Sequence, residues 1–77
     1  MKTEILLFGQ LVELIGTARI SMEGFVDSAS LIAALKEKYP VLNGAKFVVA
    51  INQEIIKENS VLKENSIVAL LPPFSGG

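Results

Sequence analysis

The chain has 77 residues, 51% of them apolar, and its 7 Lys and Arg stand against 8 Asp and Glu for a formal net charge of −1. That length holds one domain and no second, and so apolar and charge-poor a composition excludes intrinsic disorder. Dispersed basic residues exclude a phosphate-backbone partner, and the absence of Cys and His removes disulfides, thiol nucleophiles, zinc–thiolate sites and the commonest general base.

A domain of this size buries only about 60% of the surface that its unfolded chain exposes. An apolar half therefore spills onto the outside, and contiguous apolar surface marks a place where something docks. No signal-peptide pattern and no membrane-spanning apolar run are present, so a cytoplasmic protein with neither a membrane nor a nucleic-acid partner is expected.

The first predicted strand, residues 3–8, is apolar on both faces, with Ile5 and Leu7 on one and Leu6 and Phe8 on the other. Such a strand lies centrally in a sheet or turns one face to a partner. Gly9 ends it. Residues 10–15 pack Leu11, Val12, Leu14 and Ile15 into one short helical turn, closed by Gly16 as a left-handed cap. Residues 18–23 alternate, with Ala18, Ile20 and Met22 against Arg19, Ser21 and Glu23, and predict a half-buried strand antiparallel to the first.

Asp27, Ser28 and Ser30 supply N-cap oxygens for a main helix over 28–39. Its apolar residues Leu31, Ile32, Leu35 and Tyr39 recur at helical spacing, and Pro40 stops it. Residues 47–51 are a β-branched strand, Asn52-Gln53-Glu54 a turn, and Ile55-Ile56 a brief return strand. Residues 57–66 read as loop, and 67–71 as a last strand apolar on both faces. One main helix across a mixed sheet of four or five strands makes a two-layer α+β domain. Tyr39, Gly9 and Gly16 take structural readings, and Phe8 and Phe47 read as anchors of either the core or an interface.

Chemistry concentrates at the end, Pro72-Pro73-Phe74-Ser75-Gly76-Gly77, since no side chain after Glu64 is charged. Two prolines donate nothing to a sheet and hold the chain extended, so the domain divides into a body, 1–71, and an arm, 72–77. At ~3.3–3.6 Å per residue the arm reaches up to ~20 Å. Two glycines at its tip leave a strand slender enough for a narrow channel, bearing one carboxylate. An α-carboxyl, with a pKa of about 3.3–3.7, is ionised and inert until a partner activates it, for instance as an acyl-adenylate. Displacement of AMP by a sulfur donor leaves a thiocarboxylate, a reactive group that requires no Cys or His in this chain. The other reading of Gly76-Gly77 is a frayed end without function.

Three segments carry a family resemblance. Leu7-Phe8-Gly9-Gln10-Leu11-Val12-Glu13-Leu14-Ile15-Gly16, Val49-Ala50-Ile51-Asn52-Gln53 and Leu70-Leu71-Pro72-Pro73-Phe74-Ser75-Gly76-Gly77 are together similar to the MoaD-type small subunit of molybdopterin synthase. The resemblance implies an α+β fold of the ubiquitin-like β-grasp kind and a sulfur carrier of molybdenum cofactor biosynthesis, non-catalytic alone. Gly77 is then the residue adenylated and thiocarboxylated, with AMP only transiently attached and no cofactor held tightly. Gly76, Ser75, Phe74, Pro73 and Pro72 form the binding arm, and Phe8, Leu6 and Leu70 belong to the partner interface. The implied partners are the large synthase subunit, in a heterotetramer, an adenylating enzyme of the ubiquitin-activating type and a sulfur-donor enzyme. The sulfur passes to cyclic pyranopterin monophosphate.

Two positions depart from the family pattern: Val12 stands where many members carry Arg, and Glu64-Asn65-Ser66 replaces an Asp-Gly-Asp-like turn, with Asn65 able to take the glycine conformation. The alternatives are a carrier for thiamine synthesis or tRNA thiolation, and a ubiquitin-like modifier or binding module. The apolar excess is expected as one docking surface on the first and last strands, leading to Gly77.

Overall fold

The strand β1 (Lys2–Leu7) sorts its residues by alternation. Thr3, Ile5 and Leu7 are buried, while Leu6 is half-buried on the opposite face. The computed structural model describes residues 2–73. β1 leads into α1 (Gln10–Ile15), which ends as the sequence predicts: Gly16 has φ 94° and its N–H donates to the Val12 carbonyl at 2.8 Å. The chain then returns in β2 (Arg19–Glu23), antiparallel to β1, with Ile5 opposite Ile20.

The main helix α2 (Ser28–Lys38) begins at Asp27, whose carboxylate accepts from the Ser30 N–H at 2.9 Å. Leu31 and Leu35 are buried. The helix stops at Lys38, one residue before the predicted end, and Tyr39 is its C-cap. Pro40 does more than stop it. It opens a 3₁₀ segment, Pro40–Gly44, in which a missing N–H costs nothing at the first position, and which seats Leu42 in the core at 1% exposure.

β3 (Val48–Ile51) turns through Asn52 and Gln53, at φ 49° and 73°, into β4 (Glu54–Ile56). Two successive left-handed residues match the twist of the strands they join. The segment 57–66 is irregular, as predicted, yet its Leu62 is 2% exposed and joins the core. Asn65 takes φ 63°, the conformation expected of it, just ahead of β5 (Ile67–Leu71).

The sheet runs β2-β1-β5-β3-β4. β1 and β5 are parallel and every other neighbouring pair is antiparallel. This is the expected two-layer arrangement with five strands. Ile5, Leu7, Ile20, Val68 and Leu70 from the sheet meet Leu31 and Leu35 of α2, with Leu11, Leu42 and Leu62 closing the sides. Among the described residues, no helix packs on the other sheet face. Among the described residues, no helix is long and apolar enough to cross a membrane.

Candidate functional site: an open sheet face and the root of an arm

Residues opposite one another in a sheet share a face, so the pairing shows what lies on the uncovered side. Leu6 sits opposite Ala69, Ala69 opposite Ala50, and Val48 opposite Leu71. Ile67 and Ile55 lie on the same side, 45% and 50% exposed. Phe8, just past the end of β1, is 43% exposed. Together with Leu6, Ile67, Ala69, Asn52 and Gln53 it lines a hollow on this face.

Asn52 fixes one rim of the hollow. Its N–H donates to the Ile67 carbonyl at 2.8 Å, and its side-chain Oδ1 accepts from the Ile67 N–H at 3.0 Å. The β3–β4 turn is thereby tied to the start of β5. The opposite border is polar: Arg19 Nε lies 3.2 Å from Glu4 Oε2, and the Ser21 hydroxyl donates to Glu4 Oε1 at 2.8 Å. The face is thus apolar over β5 and β3 and charged over β2.

The root of the arm is clamped at the other end of β5, beside Phe8. The Phe8 N–H donates to the Leu70 carbonyl at 3.2 Å, and Leu71 pairs with Val48. Pro72, half-buried, then crosses directly over Gly9. Gly9 has φ 58° and ψ −134°, and a Cβ built there lies 2.6 Å from Pro72 Cγ. Conformation and space both demand glycine. Pro72 and the exposed Pro73 border a cleft whose other walls are α1 (Gln10, Leu11, Leu14) and the segment after Pro40 (Val41, Gly44).

The structure brings Leu6 and Phe8 together on the open face and seats Pro72 over Gly9 in the cleft beside α1, but it corrects the placing of Leu70. That residue is 0% exposed and points at the helix, because its register partners are Leu7 and Val49, both on the covered side. The outward positions of β5 are Ile67, Ala69 and Leu71. Asn52, Gln53, Ile67 and Ala69 were missed as site residues. Side-chain bulk gives no signal of which face is core, since Ile67 and Leu71 on the open side balance Val68 and Leu70. Phe74, Ser75, Gly76 and Gly77 lie outside the described residues.

A twisted mixed sheet with its last strand at the centre, one helix across one face and the other face open, is the ubiquitin-like β-grasp fold. The solution structure of small archaeal modifier protein 1 from Methanosarcina acetivorans superimposes with a TM-score of 0.82 at 24% identity, covering 99% of this chain and 96% of that one, a likeness of fold alone. The chain belongs to the ThiS family, whose model matches residues 5–77. It is 38% identical to the molybdopterin synthase sulfur carrier subunit of Dictyostelium discoideum, over 96% of this chain and 94% of the relative. It also matches a chain in the complex of subunits 1 and 2 of molybdopterin-converting factor from Helicobacter pylori 26695, with a TM-score of 0.75 and 30% identity over 100% of both chains. The family resemblance drawn from the three sequence segments therefore holds.

Proposed function

We propose that this protein is a sulfur carrier of molybdopterin synthesis, acting in the cytosol as the small subunit of a synthase and non-catalytic alone. The observation that carries the reading is the union of an uncovered apolar sheet face with an arm rooted beside it. The face docks a large subunit, and the arm, residues 72–77, extends from the body, residues 1–71, into that subunit's active site. The likeness to the Dictyostelium carrier subunit and to the Helicobacter complex supports this choice of partner.

In this reading the Gly77 carboxylate attacks the α-phosphorus of ATP in a ubiquitin-activating-type enzyme and releases pyrophosphate. A sulfide-level nucleophile from a donor enzyme then displaces AMP from the acyl carbon and leaves a thiocarboxylate. Phe74 and Ser75 belong to the arm behind the tip, and Gly76 keeps that tip slender enough to enter a narrow channel. The thiocarboxylate sulfur bonds to a carbon of cyclic pyranopterin monophosphate in place of an oxygen substituent, and water then cleaves the resulting thioester, which leaves the sulfur on the pterin and returns the Gly77 carboxylate.

Intact-mass measurement of the chain co-expressed with its adenylating enzyme tests this. The expected result is a rise equal to one oxygen-to-sulfur exchange, absent when Gly77 is deleted. An unchanged mass, with partner function surviving the deletion, overturns the carrier reading. An isopeptide adduct on lysine supports the modifier alternative instead. Gly76→Val is expected to fold as the unaltered chain does, with the same circular dichroism and melting, yet to block thiocarboxylate formation or its delivery.

A further inference from the structure

The far edge of the sheet carries an arrangement unrelated to the arm. β2 is an outer strand, paired with β1 on one side, and no described strand covers its other side. The Leu7 N–H donates to the Ala18 carbonyl at 2.9 Å, and the β1–β2 register runs on from that pair. In an antiparallel ladder the hydrogen-bonded positions alternate, so Ala18, Ile20 and Met22 turn their backbone groups toward β1. The backbone N–H and C=O groups of Arg19, Ser21 and Glu23 therefore face the edge. Of these, only the Arg19 groups have a local partner, the Thr17 hydroxyl, at 3.4 and 3.2 Å.

We propose that this edge pairs with the same edge of a second copy of the chain, antiparallel about a two-fold axis through Ser21. The segment Arg19-Ile20-Ser21-Met22-Glu23 is complementary to its own reverse in that register. Arg19 of each copy faces Glu23 of the other, Ile20 faces Met22, and Ser21 faces itself. The positions brought together at Arg19–Glu23 and Ser21–Ser21 are those with outward backbone groups, so each such pair exchanges both of its N–H···O bonds, those of Arg19 replacing its long contacts with the Thr17 hydroxyl.

The charges agree with the register. Within one copy Glu23 lies opposite Lys2, so the row across the joined sheet reads Lys2, Glu23, then Arg19 of the second copy, alternating in sign. Opposite charges directly across a ladder stabilise it and like charges destabilise it. Charged side chains and prolines on an edge strand guard it against association, and charges do so where a like charge on the incoming strand would oppose them. This edge instead carries one charge of each sign, symmetrically placed about its centre. The two-fold axis stands perpendicular to the sheet, so both helices lie on one side and both open faces on the other. Phe8, Ile67 and Ala69 remain uncovered, and dimerisation does not compete with docking of the arm.

Sedimentation velocity on the full chain over a concentration series at low salt tests the proposal. A reversible monomer–dimer equilibrium is expected. Glu23→Arg alone and Arg19→Glu alone each place like charges face to face, and each is expected to weaken the dimer about ten-fold or more. Mixed in equal amounts, the two variants restore dimers, because one supplies a cationic edge and the other an anionic one. Ser21→Pro removes an N–H that faces the edge and not β1, so it should keep the circular dichroism and melting of the unaltered chain while remaining monomeric. A chain monomeric up to millimolar concentration overturns the proposal, as does a dimer indifferent to both charge variants and to Ser21→Pro.

Discussion

Gly9 is held by two independent constraints. Its φ of 58° with ψ −134° belongs to a region that residues with a Cβ rarely enter, and Pro72 Cγ occupies the space that a Cβ needs. Gly9→Ala is expected to cost about 1–3 kcal/mol in urea unfolding, the range for a strained backbone position, and to push Pro72 off the end of β1. Gly16 is the control: its φ is 94°, but a Cβ there would meet nothing within 4 Å, so Gly16→Ala brings backbone strain alone. The loss there is expected at about 1–2 kcal/mol, with the arm undisturbed. Sequence reading assigned both glycines to turns, as they are. It gave no hint of Pro72 over Gly9, because that contact joins residues far apart in the chain.

The start of α2 shows how one element is held from outside itself. Asp27 caps the helix, and Asn59 from the distant loop accepts from the Ser28 hydroxyl at 3.1 Å and the Ala29 N–H at 2.8 Å. The Ser60 N–H donates back to the Ser28 hydroxyl at 2.9 Å. Since Ser28 is 3% exposed, Asn59→Ala leaves the buried Ser28 O–H without its acceptor and is expected to cost about 1–3 kcal/mol, measured by thermal unfolding. Hydrogen bonds from the Ser30 hydroxyl, then the Ser30 N–H and the Asn59 amide hold the Asp27 carboxyl below its ordinary 3.8. The unfolded chain binds that proton more readily, so the cap's contribution is complete above about pH 4 and is lost as pH falls through the lower folded value. Unfolding midpoints followed down to pH 2 should show that decline, and Asp27→Asn should remove this part of it. The strands, the helix and its cap were legible because periodicity and capping are local. Asn59 was not, since nothing near it in sequence announces a partner on α2, and the 3₁₀ segment was hidden because Pro40 reads equally well as a stop.

On the scale of the whole molecule, the sheet separates stability from docking. Leu70 is fully buried, so Leu70→Ala is expected to cost about 2–5 kcal/mol in chemical unfolding. Ala69→Glu, on the open face, should leave unfolding nearly unchanged while abolishing co-purification with the large synthase subunit. The sequence showed that β5 is apolar on both faces but not which face is which. Parity follows from register with β1 and β3, a property of the assembled sheet.

The parallel pairing of β1 with β5 has a consequence in time. Glu4 pairs with Ile67, so the centre of the sheet closes only when nearly the whole chain has been gathered into one loop, a slow kind of contact to form. Until β5 arrives, β1 and β3 have no strand between them, and Val68 and Leu70 are missing from the core. The strand that completes the fold is also the one from which the arm departs. A chain in which β5 has not yet paired therefore has neither its open apolar face complete nor Pro72 seated over Gly9, so on the proposed reading it competes for its partner only after that last strand is in place.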